Sequence, residues 1–139
     1  MAKSFDWRQL LETHPIFSSL GETEVEQILT DEVSQERICP ENDYIVKAGE
    51  VGDSLFLIGA GSVQVTVAGS PTAVLGQGDF FGEIAVLDRR PRSASVIVRE
   101  SCTVLEIPGE AFRQLLAAHP DVDADLRATA NMRLSQQRQ

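Results

Sequence analysis

The sequence is poor in the residues from which most catalytic and metal sites are built. It has only two histidines in 139 residues, and His14 and His119 each precede a proline. A metal oxygenase on a β-rich scaffold needs several histidine and carboxylate ligands on its strands, and neither histidine falls where strands are predicted. No nucleophile, base and acid form a recognisable set either. We therefore expect neither enzyme activity nor a bound metal.

Cysteine and long apolar runs are also scarce. Cys39 and Cys102 form no CxxC or other metal-type spacing, which indicates neither a disulfide framework nor a zinc site. They fit a reducing, cytoplasmic location. No apolar run approaches the length that crosses a bilayer, and residues 1–20 lack the apolar segment of a signal peptide. We expect a soluble domain with no direct membrane contact.

Positive charge is in deficit. The chain has 12 Lys and Arg against 21 Asp and Glu, a net charge of −9, which disfavours non-specific binding to nucleic acid. Any anion site must therefore be local. The densest basic cluster is Arg89, Arg90 and Arg92, and the cluster alone leaves open whether it forms a site or a solvated turn.

The length predicts a single domain, residues 1–139, with one core. Apolar periodicity predicts helices in residues 1–32, and residues 33–108 hold short apolar runs separated by turn residues. The candidate strands are residues 37–39, 44–47, 54–58, 62–67, 73–75, 93–98 and 103–107. Many short strands indicate an antiparallel sandwich or jelly roll. Residues 109–139 predict two helices that break at His119 and Pro120, so the predicted fold class is α+β.

The strongest functional signal lies in residues 78–96, GDFFGEIAVLDRRPRSASV. One helical turn, residues 82–87, is predicted between two strands, and it is too short to be stable alone. Free N–H groups at its start favour an anion, and Gly82 has no Cβ to block a ligand. Arg92 supplies a charge and a fork of donors that match phosphate oxygens, with the Ser93 hydroxyl beside it.

Glu83 is the unexpected member of this group, because a carboxylate beside a phosphate would repel it. The arrangement makes sense if Glu83 accepts a hydrogen bond from a neutral hydroxyl of the same ligand. A small molecule with both a phosphate and a hydroxyl suggests a nucleotide.

The sequences FGEIA, residues 81–85, and PRSA, residues 91–94, resemble the phosphate-binding cassette of the cyclic nucleotide-binding domains. That family includes regulatory subunits of cyclic-nucleotide-dependent kinases, the bacterial catabolite activator and cyclic-nucleotide-gated channels. Residues 49–58 and 61–65 resemble its glycine-bearing turns, and the resemblance covers nearly the whole chain. It implies an antiparallel β-roll with a cassette at residues 80–95, flanked by N-terminal helices and by a C-terminal hinge and lid. The ligand-binding residues that it implies are Phe81, Gly82, Glu83, Ile84, Ala85, Arg92, Ser93, Ala94 and Arg133.

The resemblance also implies roles. The ligand would be cAMP or cGMP, with the phosphate on Arg92 and the ribose 2′-hydroxyl on Glu83. Family members with alanine after the arginine tend to prefer cAMP and those with threonine cGMP; Ser93 lies between them, so we expect cAMP with modest discrimination. The final helix would cover the base, with Met132 and Arg133 within reach, and bacterial channel-type members carry a lid arginine at a position that matches Arg133.

Two alternatives to a nucleotide sensor remain within the family. A transcription regulator of the catabolite-activator type carries a helix-turn-helix after the long final helix, and residues up to Gln139 leave no room for one, so we expect no nucleic-acid partner. A fold that has lost its ligand and serves as a protein-interaction domain is the other alternative. The effector, the oligomeric state and the choice between a standalone protein and a part of a larger one are left open.

Overall fold

The computed structural model describes residues 3–137, which form one antiparallel sheet with helices packed against it. This confirms the predicted α+β fold class. In chain order the elements are α1 (Trp7–Thr13), α2 (Glu22–Ile28), β1 (Gln35–Cys39), β2 (Tyr44–Val46), β3 (Ser54–Val67), β4 (Ser70–Leu75), β5 (Phe80–Phe81), α3 (Glu83–Asp88), β6 (Ser95–Pro108), α4 (Gly109–Ala118) and α5 (Pro120–Gln137). A 3-10 turn, Phe17–Ser19, follows α1. None of the helices in these described residues is long and apolar enough to span a membrane.

Two long strands form the centre of the sheet. β3 and β6 each have 14 residues and pair antiparallel from Ser54 opposite Pro108 to Thr66 opposite Ser95. The strand order is β1-β6-β3-β4, with β2 paired to β6 and β5 paired to β3. The site described below lies where β5, α3 and the loop before β6 meet these strands.

The predicted breaks within these two strands are wrong. The sequence predicts separate strands at residues 54–58 and 62–67, and again at 93–98 and 103–107, whereas the structure joins each pair into one strand. The pairing register of β3 shifts between Ile58 and Val63, so the glycine-containing segment forms bulges that bend the strand without ending it. The short strand β5 is not among the predicted strands. Pairing to a neighbour, which local sequence does not show, decides both outcomes.

The core has two parts, one under the helices and one within the sheet. The first contains Trp7, Phe17, Phe112 and Leu126, each at most 2% exposed. The Phe17 ring centroid lies 5.8 Å from that of Phe112 in an edge-on arrangement. The helices before and after the sheet therefore share one apolar layer.

Glu36 on β1 fastens the N-terminal segment to the sheet. Its carboxylate accepts hydrogen bonds from the backbone N–H groups of Ser4 and Phe5, from the Ser4 hydroxyl and from Trp7 Nε1, all at 2.8–3.0 Å. Burial by itself would raise the pKa of Glu36, but these donors lower it to about 2. The chain before α1 is therefore tied to β1 through one carboxylate.

His14 is the residue after α1, where the following proline disfavours further helix, and it is buried. Its Nδ1 accepts the N–H of Ile16 at 3.0 Å, so its Nε2 is the nitrogen that donates to the Gly78 carbonyl oxygen at 2.8 Å. Burial lowers the pKa of His14. The neutral ring thus links α1 to the turn before β5, which is a structural role.

Candidate functional site

A cavity of about 260 Å³ lies between the sheet, α3 and the C-terminal half of α5. All nine site residues predicted from the sequence line it. The rest of its wall comes from Val46, Val65, Thr72, Ala73, Leu75, Val96 and Met132. The cavity thus combines an apolar wall with one arginine and one carboxylate that are both buried.

Gly82 shapes the floor of this cavity. Its φ of +92° puts it in the left-handed region, which glycine adopts without steric cost, and it is the residue before α3. A Cβ at this position would lie 2.6 Å from the Ser54 carbonyl oxygen and 2.8 Å from Arg92 Nη1. Both the backbone conformation and the close approach of its neighbours therefore require glycine here.

Arg92 is a buried cation, with 8% of its surface exposed. Its Nη1 donates one hydrogen bond, to the Ser54 carbonyl oxygen at 3.1 Å, and its guanidinium carbon lies 5.7 Å from the Phe56 ring centroid. Within residues 3–137, no carboxylate forms an ion pair with it. Burial lowers the pKa of Arg92, while the more distant charges of Glu106, Asp53 and other carboxylates oppose that shift. A buried charge is costly unless it is paired and hydrogen-bonded, so the spare donors favour an anion in the cavity.

The loop before β3 holds Arg92 in place. Arg92 N–H donates to the Glu50 carbonyl oxygen at 2.9 Å, and the N–H of Gly49 donates to the Arg92 carbonyl oxygen at 2.8 Å. A Cβ on Gly52 would lie 2.7 Å from both Nε and Nη2 of Arg92, so the guanidinium packs directly against that backbone. No role for Gly52 is predicted from the sequence, where its only signal is its place in the glycine-bearing turn of residues 49–58.

Glu83 is the second charged residue of the cavity, and its side chain is 3% exposed. Its Oε1 accepts a hydrogen bond from Arg133 Nη1 at 2.7 Å. The guanidinium carbon of Arg133 also lies 5.0 Å from the centroid of the Phe80 ring. One ion pair and one cation–π contact therefore hold the far half of α5 over the cavity, while Val122 and Leu126 pack its first half into the core under the helices.

The path of α5 is set at the residue between the last two helices. His119 has φ −133° and ψ 79°, which is not helical, and its Nε2 contacts Glu24 Oε2 of α2. On α4, Arg113 makes two hydrogen bonds to the Asp53 carboxylate, at 2.7 and 2.9 Å, and a third to the Val86 carbonyl oxygen at 3.1 Å. These contacts join the helices to α3 and to the loop that holds Arg92.

Not every apolar residue near the FGEIA segment faces the cavity. Leu75 lines the cavity, whereas Phe80 and Val86 belong to the core under the helices. Successive side chains of a strand point to opposite faces of a sheet. In β5, Phe81 therefore faces the cavity, and Phe80 faces the helices. No sequence motif marks the other strand residues of the cavity wall, which are Val46, Val65, Thr72, Ala73 and Val96.

Comparison with known proteins agrees with this geometry. The profile of the cyclic nucleotide-binding domain matches residues 36–119. A cyclic nucleotide-gated potassium channel of Rhizobium etli is 34% identical over 122 residues, which are 88% of this chain and 34% of the channel. The chain thus spans about a third of the length of this channel and of a similar one from Mesorhizobium japonicum.

Solved structures show the same fold. The catabolite activator protein of Thermus thermophilus superimposes with a TM-score of 0.71 at 32% identity, covering 88% of this chain and 59% of that one. The regulatory subunit of a cAMP-independent protein kinase A from Trypanosoma brucei superimposes with a TM-score of 0.80 at 25% identity, covering 90% and 44%. With the matched profile and the cavity built from the FGEIA and PRSA segments, these findings show that the chain belongs to the cyclic nucleotide-binding domain family.

Proposed function

We propose that the chain is a sensor module that binds a cyclic nucleotide, cAMP more tightly than cGMP, in the cavity under α5. The observation that carries the proposal is Arg92, a buried guanidinium whose one hydrogen bond within residues 3–137 goes to a neutral carbonyl. A cyclic phosphate has a single negative charge and two free oxygens, which suit one guanidinium with spare donors. Membership of the cyclic nucleotide-binding domain family supports a cyclic nucleotide as the class of ligand.

Ser93 and the charged residues of the cavity each have a role in this proposal. Arg92, Ser93 and the backbone N–H groups after Gly82 hold the phosphate. Glu83 accepts the ribose 2′-hydroxyl, and its neighbour Arg133 reaches the base from α5. The apolar strand residues around Leu75 contact the purine. No step of this mechanism makes or breaks a covalent bond, so we propose binding without catalysis.

The preference between the two nucleotides rests on Ser93. A hydroxyl after the arginine can bond the guanine amino group, and serine carries its hydroxyl on the β-carbon as threonine does but lacks the threonine methyl group. Ser93 lines the cavity and is partly buried. We expect cAMP to bind more tightly than cGMP by a small factor.

Signal output would run through a movement of α5 about His119. The non-helical backbone there lets a small rotation carry the far end of the helix several ångströms, and the residues of α5 that line the cavity, Met132 and Arg133, lie at that far end. A ligand shifts two states only by its difference in affinity for them, and contacts from these residues would supply that difference. Truncation after Asn131 should weaken binding, and amide exchange in residues 121–137 should slow when cAMP is added.

The test of the site is calorimetric titration with cAMP and cGMP of the wild type, Arg92→Ala and Arg90→Ala. We expect Arg92→Ala to weaken cAMP binding by about 2–5 kcal/mol, the range for removing one partner of a buried charge pair. Arg90 is the matched control, because it belongs to the same loop but is half-exposed and pairs with Asp88; its loss should change affinity little.

Two results would contradict the proposal. If Arg92→Ala binds cAMP within threefold of the wild type, Arg92 is not part of the site. If the wild type binds neither nucleotide, the domain is a scaffold that has lost its ligand, a possibility that the cAMP-independent relative makes worth testing. A 2′-deoxy analogue tests Glu83 separately, since Glu83→Ala should remove most of the advantage of cAMP over that analogue.

The channel relatives join this domain to an effector. We propose that the module likewise regulates an effector, in the same chain or in a partner protein, and acts in the cytoplasm.

A further inference from the structure

The two cysteines, 63 positions apart in sequence, are direct neighbours in the sheet. Cys39 on β1 and Cys102 on β6 are opposed in the antiparallel register. Opposed residues of such a pair project from the same face of the sheet. Both side chains are buried, at 6% and 1% exposure, both are free thiols, and both belong to the core within the sheet.

The register brings the pair within bonding range. Directly opposed residues of an antiparallel pair have Cα atoms about 4.5 or 5.5 Å apart, and disulfides span Cα separations of about 4.4–6.8 Å. The register therefore provides a backbone separation that suits a disulfide, which forms once the Cys102 side chain turns away from the Ser62 carbonyl oxygen. We propose that Cys39 and Cys102 are an oxidation site, at which a reversible intramolecular disulfide fastens β1 to β6.

The surroundings of the thiols make the reaction slow at neutral pH. Cys102 Sγ donates to the carbonyl oxygens of Ser62 and Glu100, at 3.2 and 3.1 Å, which holds the proton on sulfur. Burial raises the pKa of both thiols. The charged groups near Cys39 are Arg37, which lowers its pKa, and Asp43 and Glu106, which raise it; the Glu100 carboxylate raises that of Cys102. Because the thiolate is the reacting species, the rate should increase with pH.

The chemistry is a two-step exchange with a small-molecule disulfide such as oxidised glutathione. Cys39 is the more exposed of the two and lies on a strand at the sheet edge, where local opening costs least. Its thiolate attacks one glutathione sulfur, the glutathione S–S bond breaks, and one glutathione thiolate leaves. The Cys102 thiolate then attacks the Cys39 sulfur and displaces the second glutathione. The two protons from the cysteines end on the two glutathione thiols, so the pair loses two electrons and the glutathione gains them.

The bond would act on the connection between the sheet and the N-terminal segment. β1 carries Glu36, three residues before Cys39, and Glu36 holds the backbone of Ser4 and Phe5. Locking β1 to β6 therefore locks the anchor of the chain that leads into α1. This inference does not depend on nucleotide binding.

The test is equilibration of the full chain in glutathione buffers from fully reduced to fully oxidised, followed by acid quench, alkylation and intact-mass measurement. We expect both thiols to disappear together, with a mass lower by two hydrogen atoms and no dimer on a non-reducing gel. The rate should rise about tenfold from pH 7 to pH 8. The melting temperature should rise by roughly 5–15 °C, as closure of a long loop predicts, and dithiothreitol should reverse the rise.

Single variants provide the control. Cys39→Ser and Cys102→Ser each keep one thiol, so neither should show the loss of two hydrogen atoms or the rise in melting temperature. The wild-type mass measurement stands even if a variant folds poorly. Any one of three results would overturn the proposal. These are a glutathione adduct on Cys39 with Cys102 still free, covalent dimers, and retention of both thiols in a buffer that oxidises the urea-unfolded chain.

Discussion

Arg133→Met isolates what the last helix contributes at the cavity. Methionine keeps an unbranched apolar side chain that can still cover the Phe80 ring, but it removes the guanidinium that bonds Glu83 at 2.7 Å. The Glu83 side chain, 3% exposed, would then lie buried without its cation. We expect the variant to fold, with α5 released from the cavity more often.

The free-energy change expected from Arg133→Met can be estimated from the distance between the two charged groups. Two unit charges 2.7 Å apart attract by about 6 kcal/mol at an effective dielectric constant of 20. Desolvation costs several kcal/mol per buried ion, and Arg133, 22% exposed, keeps part of its hydration. A net coupling of about 1–3 kcal/mol remains. Because Arg133 lies near the end of α5, the loss should appear as local opening of that helix, and about 2 kcal/mol corresponds to about 30-fold faster amide exchange.

The assay is amide hydrogen exchange over residues 121–137, together with a double-mutant cycle in which Glu83→Gln is the second change. Arg127→Met is the matched control. Arg127 lies on the same helix, pairs with Asp123 four residues earlier and is half-exposed, so its loss should cost at most about 0.5 kcal/mol. Exchange in the far half of α5 should therefore respond to Arg133 and not to Arg127.

Additive effects of the two single changes, within about 0.3–0.5 kcal/mol, would show that Glu83 and Arg133 do not interact in solution. Exchange rates in residues 121–137 that change less than threefold would show that the ion pair does not hold α5. Either result would remove the contact from the account of how α5 is docked.

Three further predictions concern Arg92, the N-terminal anchor and the core. Gly52→Ala should weaken cAMP binding by about 1–3 kcal/mol, because the new Cβ would displace the Arg92 guanidinium. Gly76→Ala is the control in the same calorimetric titration, since its Cβ would meet nothing closer than 3.8 Å. Equal cAMP affinities of the two variants would refute the reasoning. Glu36→Gln should lower the free energy of unfolding, measured in urea at pH 7, by about 1–2 kcal/mol. Since the pKa of Glu36 is about 2 in the fold against 4.5 as the reference value, this advantage of the wild type is present above pH 4.5 and is lost as the pH falls towards 2; an advantage that persists at pH 2 would contradict it. Phe112→Ala should lower the free energy of unfolding by about 3–5 kcal/mol in the same assay. Val51→Ala, at a 92% exposed position, should change it by no more than about 0.5 kcal/mol. Similar losses for both variants would refute the placement of Phe112 in the core.

Much of the candidate site could be predicted because its parts are close in sequence. The segments FGEIA and PRSA lie within residues 81–94, and the turn chemistry of Gly82, the short helix and the charge of Arg92 are local properties. The break between the last two helices was also predictable, because Pro120 cannot donate a backbone hydrogen bond and restricts His119. The short strand β5 was not predictable, because its two residues form a strand only through pairing with β3.

The family, the fold class and the residues around Gly82 could be recognised from the sequence, because each depends on short patterns whose backbone preferences are local. The folded chain alone reveals that Gly52 packs against Arg92, that Arg133 meets Glu83 across 50 positions, and that Cys39 lies opposite Cys102. The continuity of β3 and β6 through their predicted turns is likewise a property of the fold. These contacts join residues far apart in the chain, and the register of a sheet and the docking of a helix depend on the burial of whole faces rather than on any local sequence.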